Sequence, residues 1–121
     1  MRLSTTTRHA GAVTIVDMRG RIVLGQEIAS LRNLVSDLLN LGHNKILFNF
    51  AQVDYIDSSG VGYLVGAFTS ERSRKGELKL LSPTKNVQEV MHKTKLNTIL
   101  DIKDDESAAL RSFVESKATT A

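Results

Sequence analysis

The chain is 121 residues and 13.3 kDa, the size of one domain. That length can bury roughly two-thirds of the surface its unfolded form exposes. Hydrophobic residues at 41% and charged residues at 24% are ordinary for a soluble globular protein and too polar for a membrane span. The lack of cysteine excludes disulfides, thiolate catalysis and cysteine-ligated metals. A net charge of +3 and a pI near 9.4 raise the question of nucleic acid. The cations of the second half (Arg72, Arg74, Lys75, Lys79, Lys85, Lys93, Lys95, Lys103) are interrupted by Glu71, Glu77, Glu89 and Asp101. With no tryptophan and few other aromatic residues, a platform for stacking bases is missing. The expectation is a solvated basic face with no direct nucleic-acid role, suited at most to an acidic protein partner.

In chain order, Met1 to Thr7 carries no apolar run resembling a signal peptide, so a cytoplasmic protein is expected. Leu3 to His9, rich in threonine, should pair as an edge hairpin with the alternating strand Val13 to Met18 across Ala10-Gly11-Ala12. Gly20 and Gly25 bracket Arg21 to Leu24, a loop or short strand. Ile28, Leu31, Leu34, Val35, Leu38 and Leu39 then give a clear helical period, stopped by Gly42. Lys45 to Phe50 reads as a buried strand, followed by a loop from Ala51 to Asp57. A second helix begins there with Val61, Leu64, Val65 and Phe68 as its apolar stripe and ends at Gly76.

Leu78 to Leu81 is the next strand. Ser82-Pro83 reads as a helix start with serine as cap, followed by the apolar face Val87, Val90 and Met91. Ile99 to Ile102 is a last short strand, and Asp104-Asp105-Glu106 opens a terminal helix with carboxylates at its positive end. The expected architecture is α/β: a mixed sheet with an opening hairpin, about four helices, and cover on at least one face. One domain over residues 1–116 is expected, with 117–121 fraying.

Asp57-Ser58-Ser59-Gly60 stands where a buried strand gives way to a helix. Asp57 or Ser58 can cap that helix by accepting an otherwise unpaired backbone N–H. A nucleophile elbow needs a glycine two residues before the serine, which is absent, and no histidine is near in sequence. His9, His43 and His92 fall in three different predicted elements without metal-ligand spacing and read as surface residues. Gly60, Gly62 and Gly66 have neither dinucleotide-loop nor P-loop spacing. Each glycine in a helix costs about 1 kcal/mol relative to alanine, so they read as positions of close approach, by the domain's own core or by a partner.

Phe48-Asn49-Phe50, then Val53, then Ile56-Asp57-Ser58-Ser59-Gly60-Val61-Gly62 resembles the signature of STAS domains, specifically the bacterial anti-sigma factor antagonists. The likeness extends to the opening hairpin, Gly20 before the first helix, Gly76-Glu77-Leu78 before a strand and the Ser-Pro step. It implies a STAS-like fold and a non-enzymatic switch. Ser58, or alternatively Ser59, would be phosphorylated by a partner serine kinase that is also the anti-sigma factor. The unphosphorylated domain would bind that kinase and free a sigma factor; a serine phosphatase would reset it.

Asp57, Ser58, Ser59, Gly60, Gly62, Tyr63 and Leu24 would form the partner surface, with no catalytic residue, cofactor or metal. A monomer or weak dimer is expected. The alternative is a STAS structural subunit of a stressosome-like scaffold or lipid-transport complex, in which the serines only cap the helix. One departure stands out: family members often carry Gly-x-Leu-Asp before the first helix, whereas this chain has Gly20-Arg21-Ile22-Val23-Leu24-Gly25, without the acid.

Overall fold

The computed structural model describes residues 3–118, with side chains through residue 113. Its strands are β1 (Ser4–Ala10), β2 (Val13–Ile22), β3 (Lys45–Ile56), β4 (Glu77–Leu81) and β5 (Asp101–Lys103). The helices are α1 (Gln26–Asn40), α2 (Ser58–Ser73), α3 (Lys85–Lys93) and α4 (Glu106–Ala118), with a short 3-10 turn at Leu96–Thr98. The strands form one mixed sheet in sequential order. β1 runs antiparallel to β2 through the Gly11-Ala12 turn, where Gly11 has φ +60, and the remaining pairs are parallel. Each parallel pair is joined by a helical crossover.

Both faces of the sheet are covered, which is why its central strands are nearly continuously apolar. Val16 and Met18 of β2, with Phe48 and Phe50 of β3, point into the larger core beneath α1, α2 and α3. Val13 and Ile15, with Leu47 and Leu81, point into a smaller core closed by Ala109 and Phe113 of α4. Leu64 of α2 is fully buried in the larger core, so Leu64→Ala should cost about 2–5 kcal/mol.

The start of α4 is tied to the hairpin by Arg8, whose Nε donates to Asp17 Oδ2 at 2.7 Å and whose Nη2 donates to Glu106 Oε1 at 2.6 Å. These bonds hold both carboxyls below the usual carboxylate range. The groups are partly exposed, so each pair contributes only about 1 kcal/mol or less.

Several elements differ from their sequence-based expectation. β3 does not end at Phe50: residues 51–56 continue as a ribbon paired with an equally extended β2, up to Ile22 opposite Ile56. Val53 and Ile56 turn into the core while Gln52, Asp54 and Tyr55 face out, so the segment has the polarity of a loop although it is a strand. The stripe of α2 is also rotated. Its buried residues are Gly60, Tyr63, Leu64, Ala67 and Glu71, whereas Val65 is 40% exposed. α2 ends at Ser73, three residues before Gly76.

α3 starts at Lys85 behind Thr84; Ser82 has φ 52 and precedes the helix rather than capping it. The last strand begins at Asp101 because Ile99 and Leu100 complete the turn after Leu96. Lys79 leaves the solvated basic face: it is 8% exposed and paired with Asp101 at 2.8 Å. α4 continues to Ala118, and residues 119–121 lie outside the described residues.

Candidate partner-binding site at the start of the second helix

The extended β2–β3 ribbon delivers Asp57 beside the end of β2, where its N–H donates to Ile22 O at 3.2 Å. Asp57 has extended φ and ψ (−98 and −177) and is the N-cap of α2, its Oδ1 accepting from Gly60 N at 2.9 Å. Its Oδ2 accepts from Leu24 N at 3.0 Å, so one carboxylate bridges the helix start and the β2–α1 loop. Desolvation pushes this carboxyl up, but the N–H groups of Leu24, Gly60 and Ser59 outweigh it and hold it below the usual range. An ionised cap is thus built into the turn.

On this frame Ser58 is the first helical residue and is exposed, whereas Ser59 is half-buried at the mouth of a groove between α1 and α2. Leu24 presents its apolar side chain to solvent, 76% exposed. Gly60 is buried, and a Cβ there would meet Ile56 Cγ1 at 2.6 Å and Ile22 O at 2.7 Å. Close approach is therefore correct for Gly60, and the neighbour is the domain's own core. At Gly62 and Gly66 a Cβ would meet nothing within 4 Å, so the domain's own core makes no close approach there. Both open onto the groove instead. Tyr63 lies along the groove too, yet it is 8% exposed and its hydroxyl donates to Leu31 O at 3.5 Å. Burial pushes its phenol well up.

Sequence reasoning missed two features of α2. Glu71 is fully buried, neither carboxyl oxygen has a hydrogen-bond partner among the described residues, and burial pushes it up to about 7. The signal was available: Leu64, Ala67 and Glu71 share one helical face. The other feature is the groove, for which small residues on an exposed helix face give only a faint signal.

His9 and His43 do not serve Ser58. They come together, with ring centroids 5.2 Å apart, rather than standing separately as the sequence suggested. His9, in β1 opposite Thr14, and His43, just before β3, lie at the amino ends of β2 and β3, roughly 35 Å along β3 from Asp57 at the usual rise per residue. Among the described residues no cluster of three or more metal-binding side chains occurs, and no helix is long and apolar enough to cross a membrane.

Comparison with known proteins agrees with this architecture, beginning with the family model for the STAS domain, which matches residues 4–109. The chain belongs to the STAS domain family. A Thermotoga neapolitana homologue of the protein TM1081 is 39% identical over 74 residues, which cover 61% of this chain and 66% of that relative. The crystal structure of TM1081 from Thermotoga maritima, described as an anti-sigma factor antagonist, superposes with a TM-score of 0.84 at 28% identity, over 90% of this chain and 93% of that one. The Bacillus cell-fate determinant SpoIIAA, solved in its phosphorylated form, has the same fold: TM-score 0.71 at 20% identity, over 90% and 98% of the two chains.

Proposed function

We propose that this STAS domain is an anti-sigma factor antagonist, a non-enzymatic cytoplasmic switch whose state is set by phosphate on Ser58. The observation that carries the reading is the exposed Ser58 hydroxyl on the first turn of α2, beside a cap whose two oxygens are already engaged. The antagonist names of its relatives and the phosphorylated form of SpoIIAA support it. A serine kinase that is also the anti-sigma factor binds the unphosphorylated surface and releases its sigma factor. In the phosphoryl transfer, Ser58 Oγ forms a bond to the γ-phosphorus of ATP, ADP leaves, and the hydroxyl proton passes to a base on the kinase. A serine phosphatase hydrolyses the ester and restores the hydroxyl.

The physics of release is local. Phosphate adds about −1.5 to −2 charge. The helix amino end tolerates that charge, so the fold of the domain is kept. A partner surface fitted over a neutral hydroxyl, Leu24 and the Asp57 carboxylate does not tolerate it. Incubation with ATP and the serine kinase encoded nearest this gene, followed by phosphosite mapping, tests the reading. Phosphate should appear on Ser58; an active kinase that modifies neither Ser58 nor Ser59 would sink it.

A further inference from the structure

The α1–α2 groove continues from Ser59 away from the phosphorylation turn and encloses about 720 Å³. One wall is apolar. Ile28 and Val35 of α1, with Tyr63 and Ala67 of α2, are all buried but retain 5–8% exposure, and all four line the groove. The floor is open at Gly62 and Gly66, where no atom lies within 4 Å of a would-be Cβ, so a visiting backbone can come close. The charge is one-sided. Arg32 and Arg74 are exposed at the rim, and no carboxylate is among the lining residues. Neither arginine makes an ion pair among the described residues; Arg74 donates only to the neutral Asn40 Oδ1, at 3.3 Å. From Ser59 to Arg74 the groove follows roughly 22 Å of helix, the length of a four-turn helix.

We infer that this groove receives an amphipathic helix of the partner protein, with an apolar face against Ile28, Val35 and Tyr63 and carboxylates at Arg32 and Arg74. Continuity with Ser59 and Leu24 makes it the second half of the proposed partner surface, so the inference rests on that reading for the partner's identity. Helix-in-groove docking supplies the apolar anchors, and charge complementarity supplies orientation and on-rate. At one end of the groove stands the exposed Leu24, and the charged side chains that line it are both positive.

Two probes separate the inference from the reading beneath it. The first is an 18-residue designed helical peptide with leucines on one face and glutamates flanking them, titrated into the labelled protein while amide shifts are recorded. Shifts should centre on Gly62, Gly66 and Arg32, weaken with salt, and vanish for the same peptide with lysines in place of glutamates. Arg32→Glu with Arg74→Glu should weaken binding by about tenfold or more, and Gly66→Leu should block it without lowering the melting temperature.

Equal binding of the lysine peptide, shifts centred elsewhere, or concentration-dependent shifts of the protein alone at Gly62 and Gly66, marking a second copy as occupant, would each overturn the inference. The second probe is the neighbouring kinase itself. If Ser58→Asp abolishes kinase binding while the arginine reversals leave it intact, the groove assignment is wrong and the switch stands. If the reversals weaken it and Ser58→Asp does not, the groove stands and the switch fails.

Discussion

The two ends of α2 place a carboxyl each, and the chain treats them oppositely. Asp57, at the amino end, is ionised and satisfied by N–H donors from two elements. Glu71, in the last turn, is buried without a hydrogen-bond partner for its carboxyl among the described residues and held towards its neutral form. The helix dipole favours negative charge at the first site and disfavours it at the second. Only one end of the helix is built for charge. Its amino end can accept a further anion at Ser58, whereas its carboxyl end is set into the core.

The largest effect that would sharpen this contrast concerns pH. Burial raises Glu71 from an ordinary 4.5 to about 7, so the folded state binds more protons than the unfolded one between those values. Its stabilising share is therefore complete below about pH 4.5 and is lost as pH rises through about 7, roughly 3 kcal/mol at the upper limit. Urea unfolding at a series of pH values should show that decline. Glu71→Gln should flatten it, and an unchanged slope in the variant would refute the assignment. Asp57 has the opposite sign: its depressed value gives stability that is present at neutral pH and lost as pH falls through the acid range.

Next in size is the glycine beneath the cap. Gly60→Ala drives a methyl into Ile56 and the Ile22 carbonyl and should cost about 1–3 kcal/mol. Asp57→Ala removes the helix cap and the tie to the β2–α1 loop, for about 1 kcal/mol. Faster amide hydrogen exchange at Leu24 should accompany it; unchanged exchange there would mean the loop is held by other contacts. The smallest change has the reverse sign. Gly66→Ala meets open space within a helix and should stabilise by up to about 1 kcal/mol, read as a higher melting temperature, and a loss would show that Gly66 is not the open position described.

Much of this was legible in the sequence, and the exceptions have physical causes. The hairpin, the period of α1 and a helix cap at Asp57 or Ser58 follow from local rules of turn chemistry, periodicity and capping. The 51–56 extension was not legible because a two-stranded ribbon has one solvated face, and its outward Gln52, Asp54 and Tyr55 read as a loop. The register shifts in its pairing with β2 also break the strict alternation that marks a strand.

Ser82-Pro83 resembled a cap followed by the first helical residue, yet the capping position falls to Thr84, which also donates its hydroxyl to Val53 O at 2.8 Å. In α2, apolar Val65 drew the predicted stripe outward, while small Gly60 and Ala67 and charged Glu71 supplied the actual one. Composition marks Gly60, Gly62 and Gly66 alike; only the packing around Ile56 and Ile22 separates a glycine required by the fold from two that leave a groove open.

In the proposed switch, phosphate on Ser58 acts locally, on the partner and not on the fold. Calorimetric titration of the neighbouring kinase with unphosphorylated and Ser58-phosphorylated protein tests it most directly. Binding should be strong for the first and absent or at least about a hundredfold weaker for the second. Equal affinity for the two forms would mean that Ser58 phosphate does not control partner binding.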